Sequence, residues 1–515
     1  MNDISQAFIL SFTPLSLIVA FVSTLIGVIL GAIPGLNGGI GIAVMMPFTY
    51  GMSPTLGLLF LGGIYMGSSY GGAITAILIN CPGTSNATCT AIEGYPLAKQ
   101  GRGKEALYYA AYASSWGGLL GVLALIFFTP ALARLSLKFG PPEMLLVSIS
   151  GLAIVGSMSA GKARRGIFSA ICGLSLKMIG MQASTGMPRL TWGTKTLLSG
   201  IDTLPAIIGL FALAEMVHQA VILIDGDNEV EKMELEKGKI ALPTLIKTFS
   251  LKAGHGITLW KSSLIGTIVG ILPGTGGAIA AFIAYGDAKR VSKHPERFGN
   301  GAEDGIVAVE SANNAAVGGS MVPMLGLGIP GSTNSAIMLG AMTVHGLIPG
   351  YQLFHETPRI AYGFLFGMLL TVVFMLLIGV AGVPLFSLIL KVKMEVVVPI
   401  VIACCLLGAY SSRNSLTDVF FACVFGVIGV VFNKFDIPCA PMLLGLILGG
   451  LIENYFVKTV MLANAAGQSI VRYVVTRPMC IVIAALCAYL IYSNSKDAVK
   501  TAKIKSEIKK EQQAH

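Results

Sequence analysis

The chain has 515 residues, 54% of them hydrophobic and 12% charged, with a mean hydropathy of +0.78. A soluble domain carries about 25% charge; here 35 basic and 25 acidic side chains cannot coat 53.8 kDa in water, and so high an apolar content excludes disorder. What remains is a polytopic membrane protein, and its net charge of +10 fits basic cytoplasmic loops better than a nucleic-acid surface.

No basic stretch precedes the first apolar run, 15–33. The first segment is therefore expected to stay as a membrane helix and not to be a cleaved signal. Further runs follow at 56–80, 107–130, 144–160, 166–181, 203–224, 258–285, 361–390, 396–411, 416–432, 438–452 and 474–492. They are too long for barrel strands and lack period-two alternation, so the expectation is all-α. At about 20 residues per span, the length allows roughly 10–14 membrane segments. A polar stretch near the middle, with Asp225, Asp227, Glu229 and Glu231 against Lys232 and Lys237, reads as a connector. After the last run come Lys496, Lys500, Lys503, Lys505, Lys509 and Lys510, a tail expected in the cytoplasm. The expected division is 1–224, a connector at 225–250, 251–492, and a basic tail at 493–515. The nine cysteines form no CxxC pair and read as small buried residues.

The two halves resemble each other. Gly27, Ile29, Gly31, Pro34, Gly35 and Gly38 recur as Gly266, Ile268, Gly270, Pro273, Gly274 and Gly277. Pro82, Gly83 and Asn86 recur as Pro330, Gly331 and Asn334, Glu143 and Gly156 as Glu395 and Gly408, and Pro205-Gly209-Leu210 as Pro441-Gly445-Leu446. Four matches in one order predict a duplicated unit. Charge predicts its orientation. Residues 48–54 hold no Lys or Arg, whereas the counterpart carries Lys289, Arg290, Lys293 and Arg297. Conversely, Lys99, Arg102 and Lys104 face only Arg359, and Lys162, Arg164 and Arg165 face only Arg413. Corresponding loops then lie on opposite sides, the mark of inverted-topology repeats.

Four interruptions carry the chemistry. Pro34-Gly35-Leu36-Asn37-Gly38, Pro82-Gly83-Thr84-Ser85-Asn86, Pro273-Gly274-Thr275-Gly276-Gly277 and Pro330-Gly331-Ser332-Thr333-Asn334 each break an apolar stretch. Proline ends the helix and glycine permits irregular backbone. Such backbone is tolerated at membrane depth only inside protein or beside a wet cavity. A helix restarting after each break offers free N–H groups and a positive dipole end to an anion. Thr84, Ser85, Asn86, Ser332, Thr333 and Asn334 add hydroxyls and amides. The run Glu310-Ser311-Ala312-Asn313-Asn314 places two amides and an acid in an apolar segment, which is costly unless used. Asn313 and Asn314 are expected at the substrate; Glu310, Asn314, Thr84 and Thr333 are expected to serve a coupling Na⁺ or H⁺. The blander reading makes Glu310 a helix N-terminal acid, Asp287 a loop residue and His345 a packed side chain. Gly156-to-Lys162 fits GxxxxGK, but Ala163 stands where Ser or Thr would hold Mg²⁺, so it is read as a helix end. No cofactor or metal-ligand spacing is found.

The segments GVILGAIPGL at 27–36, PGTSNA at 82–87, EGYPLAKQG at 93–101, PGTGG at 273–277, ESANNAA at 310–316 and GIPGSTNSAIMLGA at 328–341 resemble the large membrane subunit of the tripartite tricarboxylate transporters, the TctA type. The resemblance covers nearly the whole chain. It implies import of tricarboxylates or related organic acids across the bacterial inner membrane by an ion gradient, without ATP. It implies a small membrane subunit and a periplasmic solute-binding protein as partners, and leaves room for a homodimer in the lipid. No nucleic acid is expected. The rival readings are an anion channel, which needs a continuous polar pore, and an intramembrane enzyme, which needs paired acids or a His/Asp cluster.

Overall fold

The structure is a computed structural model that describes residues 2–135, 138–157, 163–182, 186–225, 255–273, 276–386, 394–485 and 487–489. Most of the expected connector, all of the basic tail, and Gly274 and Thr275 lie outside the described residues. In the first half the helices are α1 (Asn2–Ser11), α2 (Pro14–Gly31), α3 (Gly38–Met45), α4 (Pro54–Ile79), α5 (Thr88–Leu97), α6 (Gly103–Leu135), α7 (Pro141–Ser157), α8 (Ala163–Lys177), α9 (Thr203–Ile207) and α10 (Ala214–Asp225). The second half has α11 (Gly256–Ile271), α12 (Gly276–Val291), α13 (Glu303–Leu327), α14 (Thr333–Val344), α15 (Tyr351–His355), α16 (Pro358–Ala381), α17 (Met394–Arg413), α18 (Leu416–Lys434), α19 (Ala440–Ala465) and α20 (Ile470–Val475). Among the described residues the regular structure is helical as expected, apart from one antiparallel pair of two-residue strands, β1 (Gly180–Met181) and β2 (Pro188–Arg189). Among the described residues, seven helices are long and apolar enough to cross a membrane, fewer than the expected 10–14 segments. Several apolar stretches form shorter helices, because the Pro-Gly breaks divide them.

Two helices form the centre. α4 has 26 residues and α13 has 25, and both are buried over nearly their whole length. At 1.5 Å per residue each is about 38 Å long. Their sequences explain the position: Gly62, Gly63, Gly67, Ser68, Ser69, Gly71 and Gly72 in α4, and Ser311, Ala312, Ala315, Ala316, Gly318 and Gly319 in α13, let neighbouring backbones approach closely. α2 lies on α4 where a Cβ at Gly31 would meet the Ser68 carbonyl oxygen at 2.4 Å. α11 lies on α13 in the same way, with Gly266 against Ala312 and Gly270 against Ala316. α4 ends at Asn80 and α13 at Gly328, both with left-handed backbone, φ +52° and +75°.

The first and third breaks are tips of helical hairpins. The Lys261 Nζ of α11 meets Asp287 Oδ2 of α12 at 2.6 Å, and His255 Nδ1, just before α11, meets Asp304 Oδ1 of α13 at 2.6 Å. The start of α11, the end of α12 and the start of α13 therefore share one end of the molecule. In the first half the arm returning through α3 brings Thr49 beside Gly57, near the start of α4.

Several expectations are refined. Asp287 is in the last turn of α12, held by Lys261 and Arg290, and not in a loop. Glu310 is not a helix N-terminal acid, since Glu303 and Asp304 occupy the first turn of α13. Cys423 is exposed, unlike the buried Cys89, Cys405, Cys439 and Cys480. His345 packs as expected, with its ring nitrogen 2.9 Å from Thr49 Oγ1. Of the sequence-matched glycines, Gly209 packs on Ala422 of α18 and Gly445 on Ala170 of α8.

Candidate functional site

The four breaks meet. At the first, Asn37 caps α3 by accepting from the Ile40 N–H at 3.1 Å. At the fourth, Ser332 and Ser335 form a reciprocal capping box at the start of α14. These two starts face each other: a Cβ at Gly38 would lie 3.0 Å from Asn334 Nδ2, and one at Gly39 2.9 Å from Asn334 Oδ1. The second and third breaks pair likewise: a Cβ at Gly277 of α12 would lie 2.5 Å from Asn86 Nδ2. Two further contacts close a ring. A Cβ at Gly83 would sit 2.1 Å from the Gly31 carbonyl oxygen, and one at Gly331 2.5 Å from the Gly270 carbonyl oxygen. Only glycine lets these backbones touch.

Behind the ring, side chains cross from α4 to α13. Tyr65 OH contacts Ser332 Oγ at 2.8 Å and Ser320 Oγ at 3.1 Å. Asn313 accepts from Asn86 Nδ2 at 2.8 Å and donates to the Ser69 carbonyl at 3.3 Å. Because Tyr65 pairs with Ser320 and Ser69 with Asn313, α4 and α13 run antiparallel. Sequence reasoning had not selected Tyr65, Ser69 or Ser320; their only signal was polarity inside apolar helices.

The selected residues fall into three groups. Asn37, Ser85 and Thr333 are exposed at the tips. Gly35, Thr84, Asn86, Gly276, Ser332 and Asn334 are partly buried around them, while Gly38, Gly83 and Gly331 are buried at the backbone contacts. Asn313, Asn314 and Glu310 are fully buried beneath. Asn314 donates to the Glu310 carbonyl at 3.2 Å and its Oδ1 has no partner. Gly35, at φ +84°, lies against the Gln219 side chain of α10, which donates to Glu215 at 2.8 Å.

Two buried acids flank the second break. The Glu310 carboxylate accepts from Ser114 Oγ at 2.7 Å and from Thr90. Glu93 of α5 accepts from Tyr285 OH at 2.7 Å and from the N–H groups of Gly301 and Ala302 at 2.8 and 2.7 Å. Arg102 binds both Glu105 and Glu303 nearby. Among the described residues no group of three or more His, Cys, Asp or Glu side chains is placed to hold a metal.

The profile of the family described as "Tripartite tricarboxylate transporter TctA family" matches residues 17–444. Among curated proteins, the chain is similar to an "Uncharacterized 52.8 kDa protein in TAR-I ttuC' 3'region" of Agrobacterium vitis, 32% identical over 493 residues, covering 94% of this chain and 96% of that one. An "Uncharacterized protein in TAR-II ttuC' 3'region" of the same organism is 32% identical over 199 residues, covering 39% of this chain and 82% of that one. No solved structure matches. An all-helical chain with membrane-length helices, broken and rejoined around polar tips, and matched over most of its length by this profile, is a transport protein and not an enzyme: it belongs to the TctA family, the large membrane subunits of the tripartite tricarboxylate transporters.

Proposed function

We propose that this membrane transporter subunit is a secondary-active importer, driven by an ion gradient, of tricarboxylates or related organic acids. A periplasmic binding protein delivers the substrate, and a small membrane subunit completes the system in the bacterial inner membrane. The observation that carries the reading is the ring of contacts among the four breaks. Helix starts converging on one place supply N–H groups and dipole ends, each worth ~0.3–1 kcal/mol and up to ~2 when partly buried. A carboxylate is thereby held without an arginine. The exposed Asn37, Ser85 and Thr333, with Thr84, Asn86, Ser332 and Asn334 around them, would contact the carboxylates. Gly35, Gly38, Gly83, Gly274, Thr275, Gly276 and Gly331 would shape the backbone. Asn313 and Asn314 would hold the site from beneath, and Glu310, Asn314, Thr84 and Thr333 would serve the coupling ion.

The antiparallel run of α4 and α13, with like contacts from α2 and α11, supports two inverted repeats, 1–224 and 251–492, joined by the connector. Such repeats place the substrate between them and alternate its access by moving one bundle against the other. The basic tail then lies in the cytoplasm. The test is uptake of labelled citrate by vesicles containing the three components, with an imposed Na⁺ or pH gradient. Gradient-dependent accumulation is expected. Flux that merely equilibrates would indicate a channel, and no flux of any organic acid would remove the transport reading.

A further inference from the structure

Glu93 and Glu310 are both fully buried, but their partners differ in kind. Glu93 accepts from the N–H groups of Gly299, Gly301 and Ala302 and from Tyr285 OH. A backbone N–H only donates, so this cradle fits a permanent anion. Glu310 is held only by hydroxyls, Thr90 on one oxygen and Ser114 on the other. A hydroxyl donates or accepts as required. The same two partners therefore serve both a carboxylate and a carboxylic acid.

Among the described residues no cationic side chain pairs with Glu310. Several charged and titratable groups on the elements around it are committed elsewhere. His255 is bound to Asp304, Lys261 to Asp287, and Tyr285 to Glu93. Tyr70 of α4 interacts electrostatically with Glu310 and with Tyr108 of α6. Cys89 of α5 lies beside Tyr285. Tyr351 and His355 are on α15, whose start is tied by the Gly350 N–H to the Leu325 carbonyl at the far end of α13. A buried anion lacking a counter-charge is costly, and a proton is the smallest ligand that removes the charge.

We infer that Glu310 takes up and releases the coupling proton, with Thr90 or Ser114, whichever faces the protonated oxygen, reversing its hydrogen bond as it does so. The inference rests on the ion-gradient reading above and names its ion. The step is a simple transfer: a hydronium O–H bond on one side breaks as a Glu310 O–H bond forms, and on the other side that bond breaks as the proton returns to water. It is placed to report to the substrate site. α13 grips the second break at two rungs, Asn313 on Asn86 and Glu310 on Thr90, one turn apart on each side. Protonation changes the lower rung and with it the seating of the helix that carries Asn86.

The test uses proteoliposomes containing the full three-component system and labelled citrate, with a pH gradient at constant Na⁺ or a Na⁺ gradient at constant pH. The wild type is expected to accumulate citrate on the pH gradient. Glu310→Gln is expected to lose that accumulation tenfold or more. PH-driven accumulation by Glu310→Gln at the wild-type level, or wild-type accumulation on a Na⁺ gradient alone, overturns the inference and leaves the transport reading standing. Failure of the wild type to respond to any gradient overturns that reading instead. If Glu310→Gln does not reach the membrane, Glu310→Asp is read: a displaced pH optimum supports the inference, and an unchanged pH profile overturns it.

Discussion

Asn334 sits where two chain breaks from different halves meet, its amide facing Gly38 and Gly39. Asn314 is fully buried and donates to the Glu310 carbonyl. Losing a buried amide costs about 1–3 kcal/mol, which is on the order of tenfold in a binding constant. Asn334→Ala and Asn314→Ala are therefore each expected to reduce citrate uptake about tenfold while membrane insertion is kept; wild-type uptake kinetics in both would argue against this site. The polar residues at the breaks were legible in the sequence because Asn, Ser and Thr after Pro-Gly inside apolar runs have few structural explanations. Their division into exposed tips and buried supports was not, since Asn86 and Asn313 look alike in sequence and only their contact separates them.

At the scale of elements, the hairpins touch through backbone. A methyl group at Gly83 would lie 2.1 Å from the Gly31 carbonyl oxygen, and one at Gly331 2.5 Å from that of Gly270. Backbone cannot rotate away as a side chain does, so Gly83→Ala and Gly331→Ala are each expected to destabilise the protein by about 1–3 kcal/mol. A lowered unfolding temperature of the detergent-purified protein would register this, whereas an unchanged one would mean the hairpins part easily. Glu93 joins α5 to the turn that enters α13. In Glu93→Gln an NH₂ group replaces one acceptor facing those N–H donors, and loss of about 2 kcal/mol or more is expected. The same thermal measurement checks it, alongside Glu93→Asp, which keeps the charge.

For the whole molecule, the proposal of opposed repeats makes a topological prediction. In a cysteine-free background, Gly51→Cys and Lys293→Cys, both at exposed positions, are expected to react with a membrane-impermeant thiol reagent from opposite sides, Lys293→Cys from the cytoplasm. Labelling from one side would dismantle the inverted arrangement.

Composition and patterning alone established a helical membrane protein with four interrupted segments, because hydropathy, proline and glycine act locally along the chain. Only the tertiary structure decided that the first break meets the fourth and the second meets the third. It also decided that one buried acid rests on backbone N–H groups and the other on hydroxyls. Those pairings join residues far apart in the chain, and no local preference of either partner specifies which distant group will reach it.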